Sequence, residues 1–257
     1  MALRILITGA SSGIGRAMAV ELAKEKNKIA ITGRREDKLR ETAEQIEKEG
    51  GEALVLAGDT SEPKTVSRHY GEIYEKWGGL DWAILNAGIS LRNPGTKFSA
   101  EIYKKTFETN VLGAAYWLEA IIPDMVKAKN GVIAGISSLA GFVGLPQSGA
   151  YSSSKSALLI LLESLRVDLA ASNVSVITIC PGFIKSEMTD KNDPRDMLFV
   201  LDAQTGARKI IQAIKKKKRL FYFPWPLALP MACILPNLPR AAYDFIARRA
   251  IKRRLKD

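Results

Sequence analysis

Tyr151 and Lys155 stand four residues apart in Tyr151-Ser152-Ser153-Ser154-Lys155, at the head of a strongly apolar helical stretch. That spacing puts a phenol and an ammonium on one helix face. A free phenol has a pKa of about 10, too high to trade protons readily near neutrality. A neighbouring cation stabilises phenolate and makes tyrosine a usable acid and base. Alone the pair is weak, because the chain is lysine-rich and holds seven tyrosines. Ser138 ends the run Ile136-Ser137-Ser138 and brings a hydroxyl toward the head of that helix, where it can donate to a carbonyl oxygen or simply cap a turn. Asn110, beside Thr109, is a poor helix former inside a helical stretch. By itself it reads as a satisfied core amide.

A second group of residues suits an anion. Thr8-Gly9-Ala10-Ser11-Ser12-Gly13-Ile14-Gly15 follows a strand and opens a helix. Glycine there permits a sharp turn and close approach of a pyrophosphate, and free N–H groups at the helix start hold it. The second strand ends in Gly33-Arg34-Arg35, with no acid before Glu36. An acid at that point would hold the ribose of NAD, whereas arginine suits the 2′-phosphate of NADP. We take Arg34 first and Arg35 second, since two cations at a helix start are unfavourable without an anion.

These side chains need a scaffold that gathers strand ends. Short β-branched runs at 3–8, 28–33, 52–57, 81–85, 131–136, 174–180 and 219–223 alternate with helical patterns at 13–26, 36–49, 62–77, 100–129, 151–171 and 202–217. That alternation predicts an α/β fold: a doubly wound, Rossmann-type parallel sheet of about seven strands with helices on both faces. Asp59-Thr60 closes the third strand and Asn86-Ala87-Gly88 the fourth. Both are ordinary turn residues, but carboxyl ends of parallel strands are where ligands bind.

The chain has 257 residues, 47% hydrophobic and 25% charged, which excludes a disordered protein. Cys180 and Cys233 both lie in apolar stretches without metal-like spacing, so two buried thiols and no metal site are expected. The single histidine, His69, sits in a polar helix and is not expected to be catalytic. The first strand begins almost at once, which leaves no room for a signal peptide and predicts a cytoplasmic location. Residues 208–257 hold 14 Lys and Arg against Asp244 and Asp257, while 1–207 is close to neutral with 24 basic and 25 acidic groups. The excess of +11 therefore belongs to the tail, as a field for an anionic partner.

Taken in order, these motifs resemble the short-chain dehydrogenase/reductase family over about residues 3–200. T-G-x-x-x-G-I-G is similar to that family's cofactor turn, and Asn110, Ser138, Tyr151 and Lys155 resemble its four-residue active site. Pro181-Gly182, with Ile184 and Ser186 after it, is similar to the family's P-G-x-x-x-[TS] segment against the nicotinamide. The resemblance implies that Asp59, with Thr60 beside it, contacts the adenine and that Asn86-Ala87-Gly88 walls the cleft. It implies hydride transfer between NADP(H) and a carbonyl or alcohol carbon, with Tyr151 as proton donor and Ser138 stabilising the oxygen. Lys155 would hold the ribose and lower the tyrosine pKa, and Asn110 would anchor a water. Homo-oligomers formed through the two long helices are likewise implied by the resemblance.

Outside the family's simplest outline, residues 219–257 form an apolar, proline-rich and basic extension to a catalytic domain at 1–218. Lys215–Arg219 is a run of cations, and Leu220–Pro239 carries no charge. Prolines 224, 226, 230, 236 and 239 argue against a spanning helix. Beyond them, Tyr243, Ile246, Ala247, Ala250, Ile251 and Leu255 form one stripe, ringed by Arg248, Arg249, Lys252, Arg253, Arg254 and Lys256. A basic amphipathic helix of this kind suits peripheral docking on an anionic membrane, with Trp225 and Tyr222 in the interface; packing on the protein itself is the alternative. Nucleic acid is not expected, because aromatic and basic residues are not interleaved. Met188, Met197, Leu198, Phe199 and Val200 in a covering loop at 187–201, with Phe142, Val143 and Leu145, predict an apolar, lipid-like substrate. Two other functions share these residues: a non-catalytic NADP-binding sensor or membrane-surface scaffold, and an isomerase using transient oxidation.

Overall fold

Ile5 and Ile7 point to one side of their strand and Leu6 to the other, and all three are fully buried. Such a strand needs apolar cover on both faces, which a parallel sheet with crossover helices supplies. The computed structural model describes residues 2–190, 193, 195 and 197–256, with 250–256 described along the backbone only. Its strands are β1 (Arg4–Thr8), β2 (Lys28–Gly33), β3 (Glu52–Ala57), β4 (Trp82–Leu85), β5 (Gly131–Ile136), β6 (Val174–Pro181) and β7 (Leu220–Phe223). They pair in parallel in the order β3-β2-β1-β4-β5-β6-β7. The direction of winding reverses between β1 and β4, and a crevice opens there at the carboxyl ends.

One face is covered by α1 (Gly13–Ala23), α2 (Glu36–Lys48) and α7 (Ala203–Lys215), through Met18, Leu22, Leu39, Ile46, Ile210 and Ile214. The other is covered by α3 (Pro63–Trp77), α5 (Gly113–Ala128) and α6 (Gly149–Asp168), through Ile73, Trp117, Ile121, Leu158 and Leu162. Each such side chain, fully buried, contributes roughly 1.5–3 kcal/mol, so the strand ends that carry the chemistry are held firmly. His69 is part of this packing: it is buried and stacked on Trp117 at 6.5 Å, and burial holds its imidazole below its ordinary pKa.

The helix expected over 100–129 is interrupted. It consists of α4 (Ala100–Phe107), a π turn at Glu108–Leu112 and α5, and Asn110 sits in the π turn. A π turn inserts a residue into the helical ladder and rotates the turns after it, a device common at functional sites.

Pairing with β6 draws Leu220–Phe223 into the sheet, so the part projecting beyond it begins at Pro224, after a cis Phe223–Pro224 bond. From there run α8 (Trp225–Leu229), a π turn at Pro230–Ile234, a 3-10 turn at Leu235–Asn237 and α9 (Arg240–Lys256). Ala228 is fully buried against Leu139 and Cys180. Of the two expected buried thiols only Cys180 is one, and Cys233 is exposed because its turn lies on the outside of this extension. No helix among the described residues is long and apolar enough to cross a membrane. In α9, Tyr243 is half-buried and donates its hydroxyl to the Gly144 carbonyl, while Phe245 and Ile246 are exposed. Ala250, Ile251, Leu255, Lys252, Arg253, Arg254 and Lys256 of the expected stripe lie outside the residues whose side chains are described.

Candidate active site

The glycine turn and the end of β4 are stapled together. Thr8 Oγ1 accepts the N–H groups of Asn86 and Ala87, each at 2.9 Å, while Asn86 Nδ2 donates to the carbonyls of Thr8 (3.0 Å) and Gly9 (3.1 Å). Gly9 has φ +67°, and a Cβ there would lie 2.8 Å from Ala87 Cα. Only glycine satisfies both conditions. Ser12 caps α1 without a side-chain bond to the helix N–H groups, and the first turn of α1 holds no acid, so those N–H groups are left for an anion. Thr8, the first residue of the turn motif, is the buried hydroxyl on which this staple depends.

At the end of β2 the two arginines differ. Arg34 Nη1 faces Asp59 Oδ2 at 3.7 Å, and Asp59 spends Oδ1 on the N–H and hydroxyl of Ser61. Thr60 lies under the π turn and donates its hydroxyl to the Gly113 carbonyl at 3.4 Å. Arg35 Nη2 donates to Ser12 Oγ (3.0 Å) and Ser11 Oγ (3.3 Å), and Nη1 pairs with Glu187 at 2.8 Å. Neither arginine lacks an anion, contrary to the expectation from the local sequence. The fold brings Asp59 and Glu187 to them from remote segments.

Ser138 caps the 3-10 turn Leu139–Gly141, accepting the Ala140 N–H at 3.1 Å, and its hydroxyl neighbours the Tyr151 phenol in the first turn of α6. Burial pushes the phenol pKa up, and the Ser138 hydroxyl works the other way. Lys155 is 4% exposed, its Nζ lies 5.8 Å from the Tyr151 ring centre, and it donates to the Ile136 carbonyl at 2.8 Å. Burial holds its ammonium down to about 8. Desolvation is the largest influence on the phenol, and the buried ammonium lies over the same ring, one helical turn along.

Asn110 is buried and clamps Ile89 from both ends of its amide: Oδ1 accepts the Ile89 N–H at 2.7 Å, and Nδ2 donates to the Ile89 carbonyl at 3.0 Å. Nδ2 also donates to Ser154 Oγ at 2.9 Å, and Ser154 donates to the Tyr151 carbonyl at 2.8 Å. Both amide hydrogens are thus spent inside the protein, tying the segment after Asn86-Ala87-Gly88 to the tyrosine's helix. Ser154 is a positioning residue that nothing in the sequence pattern marks. So is Ser137, whose hydroxyl donates to the Lys155 carbonyl at 2.7 Å.

After β6, Gly182 donates its N–H to the Phe223 carbonyl at 2.7 Å, and the buried Ile184 bridges to Leu201. Ser186 accepts the N–H groups of Thr189 and Asp190. In the covering loop Met188, Leu198, Phe199 and Val200 are exposed. A cavity of about 150 Å³ lies between Phe142, Val143 and Gly144 and the extension's Leu235, Pro236, Arg240 and Tyr243.

The crevice fits a dinucleotide. A Cβ at Gly88 would lie 3.2 Å from both Lys155 Nζ and Asn110 Oδ1, so glycine leaves space there. Lys155 has three N–H donors, of which one is used among the described residues, so a buried cation retains capacity for ribose hydroxyls.

Residues 4–196 match the short chain dehydrogenase family. An "uncharacterized oxidoreductase" of Myxococcus xanthus (strain DK1622) is 37% identical over 246 residues, covering 95% of this chain and 96% of that protein. Another, from Thermotoga maritima, is 39% identical over 183 residues, covering 71% and 72%. Two solved structures share the fold: a short-chain type dehydrogenase/reductase from Mycobacterium marinum (TM-score 0.80, 24% identity, 90% of this chain and 96% of that one) and levodione reductase (0.82, 22%, 90% and 98%).

Proposed function

Since this chain belongs to the short-chain dehydrogenase/reductase family of NAD(P)-dependent oxidoreductases, we propose that it uses NADP(H) to interconvert an apolar, lipid-like ketone or aldehyde and its alcohol. The observation that carries the cofactor choice is Arg35, whose guanidinium is anchored by the Ser11 and Ser12 hydroxyls of the glycine turn. The nicotinamide supplies or takes the hydride. Tyr151 gives its proton to the carbonyl oxygen or takes one from the alcohol, and Ser138 donates to that oxygen as charge develops on it. Lys155 turns its free N–H groups toward the ribose. Gly9, Ser11, Ser12, Gly13, Ile14 and Gly15 hold the pyrophosphate, Asp59 and Thr60 flank the adenine, and Asn86, Ala87 and Gly88 form a wall. Pro181, Gly182, Ile184 and Ser186 close over the nicotinamide. Asn110 keeps the wall and the tyrosine's helix in register.

Replacing Arg35 by alanine should cut the NADPH-over-NADH preference by roughly 10- to 100-fold, the scale of a lost charge-assisted hydrogen bond. Arg34→Ala should do less, because its guanidinium is turned to Asp59. Fluorescence titration with both cofactors measures this. Equal affinity of the wild type for the two would overturn the NADP(H) choice.

Phe142, Val143, Leu235 and Pro236 support an apolar substrate. Exposed Trp225, Ile234, Phe245 and Ile246 beside exposed Arg248 and Arg249 support docking of an otherwise cytoplasmic protein on an anionic membrane surface. Each cation contributes on the order of 1 kcal/mol near such a surface. The double variant Arg248→Glu/Arg249→Glu should lose most co-sedimentation with phosphatidylserine vesicles, and unchanged sedimentation would remove this part of the proposal. Exposed Ile160 and Val167 on α6, with Leu112 in the π turn, support pairing of subunits into a homo-oligomer. The sensor and isomerase readings are not favoured, since the similar proteins carry oxidoreductase and reductase names.

A further inference from the structure

We infer that Glu187 sets cofactor discrimination by competing with the 2′-phosphate for Arg35, an inference that rests on the NADP(H) reading. Arg35 presents a rigid fork of N–H donors. One arm is fixed by Ser11 and Ser12, and the other holds the Glu187 carboxylate at 2.8 Å. Glu187 is delivered there by the segment following β6. A Cβ at Gly13 would lie 3.1 Å from Ser186 Cβ, so this segment lies directly against the glycine turn. The carboxylate therefore stands where an arginine and two hydroxyls converge beside the turn that receives the cofactor's phosphates. It is an internal anion on the donors that a 2′-phosphate would use.

A dianionic phosphate at this fork meets a like charge within a few ångströms, so Glu187 must give up its bond before NADPH can take Arg35 fully. The neutral 2′-hydroxyl of NADH makes no such demand, and the Arg35–Glu187 pair can persist beside it. Glu187 thus lowers affinity for NADPH selectively, and the preference of the wild type is smaller than its arginines alone would confer. The pair is partly exposed, with side-chain accessibilities of 44% and 57%, so it can open without unfolding anything.

The test is equilibrium titration of the full chain with NADPH and with NADH, followed by nicotinamide fluorescence at low salt, for wild type and Glu187→Gln. The amide should tighten NADPH by roughly three- to tenfold, the scale of one exposed ion pair plus relief of repulsion, and leave NADH where it was. The gain should shrink as salt is added, because exposed charges are screened. If both cofactors tighten or weaken together, Glu187 acts only on the shape of the segment and the inference fails. Unchanged NADPH affinity in a wild type that prefers NADPH also overturns it. A wild type that binds both cofactors alike instead overturns the NADP(H) reading beneath it. A charge-reversed Glu187→Lys should move NADPH further in the same direction as the amide, and a loss of NADPH affinity there would refute the competition.

Discussion

Tyr151→Phe should lower kcat by on the order of 10³-fold while NADPH affinity stays within a few-fold of wild type, because general acid–base groups contribute typically 10²- to 10⁴-fold. The substitution removes a single oxygen. Its ring remains in the first turn of α6, and the Lys155 bond to the Ile136 carbonyl does not depend on the phenol. The proton that must reach the carbonyl oxygen as hydride arrives is lost. Steady-state turnover over a panel of ketones and aldehydes, with fluorescence titration of NADPH, separates chemistry from binding. Undiminished turnover would remove Tyr151 from its role. Because burial raises the phenol pKa, the protonated form persists above neutrality, and carbonyl reduction should hold its rate at higher pH than a free phenol would allow.

Lys155→Met should stop turnover and yet make the protein more stable at pH 7. Burial lowers the ammonium pKa from 10.5 to about 8, so the folded chain carries this charge at a cost on the order of 3 kcal/mol. Methionine has a similar length without the charge. It leaves the Ile136 carbonyl without its donor, which gives back about 1–3 kcal/mol. A net gain of up to about 2 kcal/mol corresponds to at most about 8 °C in Tm for a domain of this size. The sign comes from proton uptake. Between about 8 and 10.5 the unfolded chain binds more protons at this lysine than the folded one, so wild-type stability rises with pH across that window. The variant's advantage should be full below about pH 8 and fade toward 10.5. Thermal melts of both proteins across this range, beside turnover assays, measure it. A variant less stable than wild type at pH 7 would show that the lysine's hydrogen bonds outweigh its buried charge.

These two outcomes concern residues that the sequence already singles out, and the reason is local. Tyr151 and Lys155 lie one helical turn apart, so once α6 is recognised from its apolar period their proximity is a matter of helix geometry. The same holds for the glycine turn, whose residues act through their own backbone, and for the seven strands, each legible as a β-branched run between turns. The order of strand and helix then leads to a doubly wound sheet and a crevice at β1 and β4 without any knowledge of contacts.

Charge pairing and burial obey different physics. Arg35 reads as a free cation until the segment after β6 sets Glu187 against it, and Asp59 reaches Arg34 in the same way. Asn110 looks like an isolated polar residue in a helix. The π turn then points it at Ile89 and at Ser154, 44 residues away, and makes it a clamp. The direction of the Tyr151 and Lys155 pKa values likewise depends on how completely remote elements remove water from them. Backbone preference and spacing act between neighbours in the chain, so the order of residues is enough to give the fold class, the cofactor turn and the identity of the catalytic pair. Desolvation and Coulomb attraction act between neighbours in space. Which charges are paired, which amides are spent and which way each proton affinity moves are therefore set when the chain is folded, and not before.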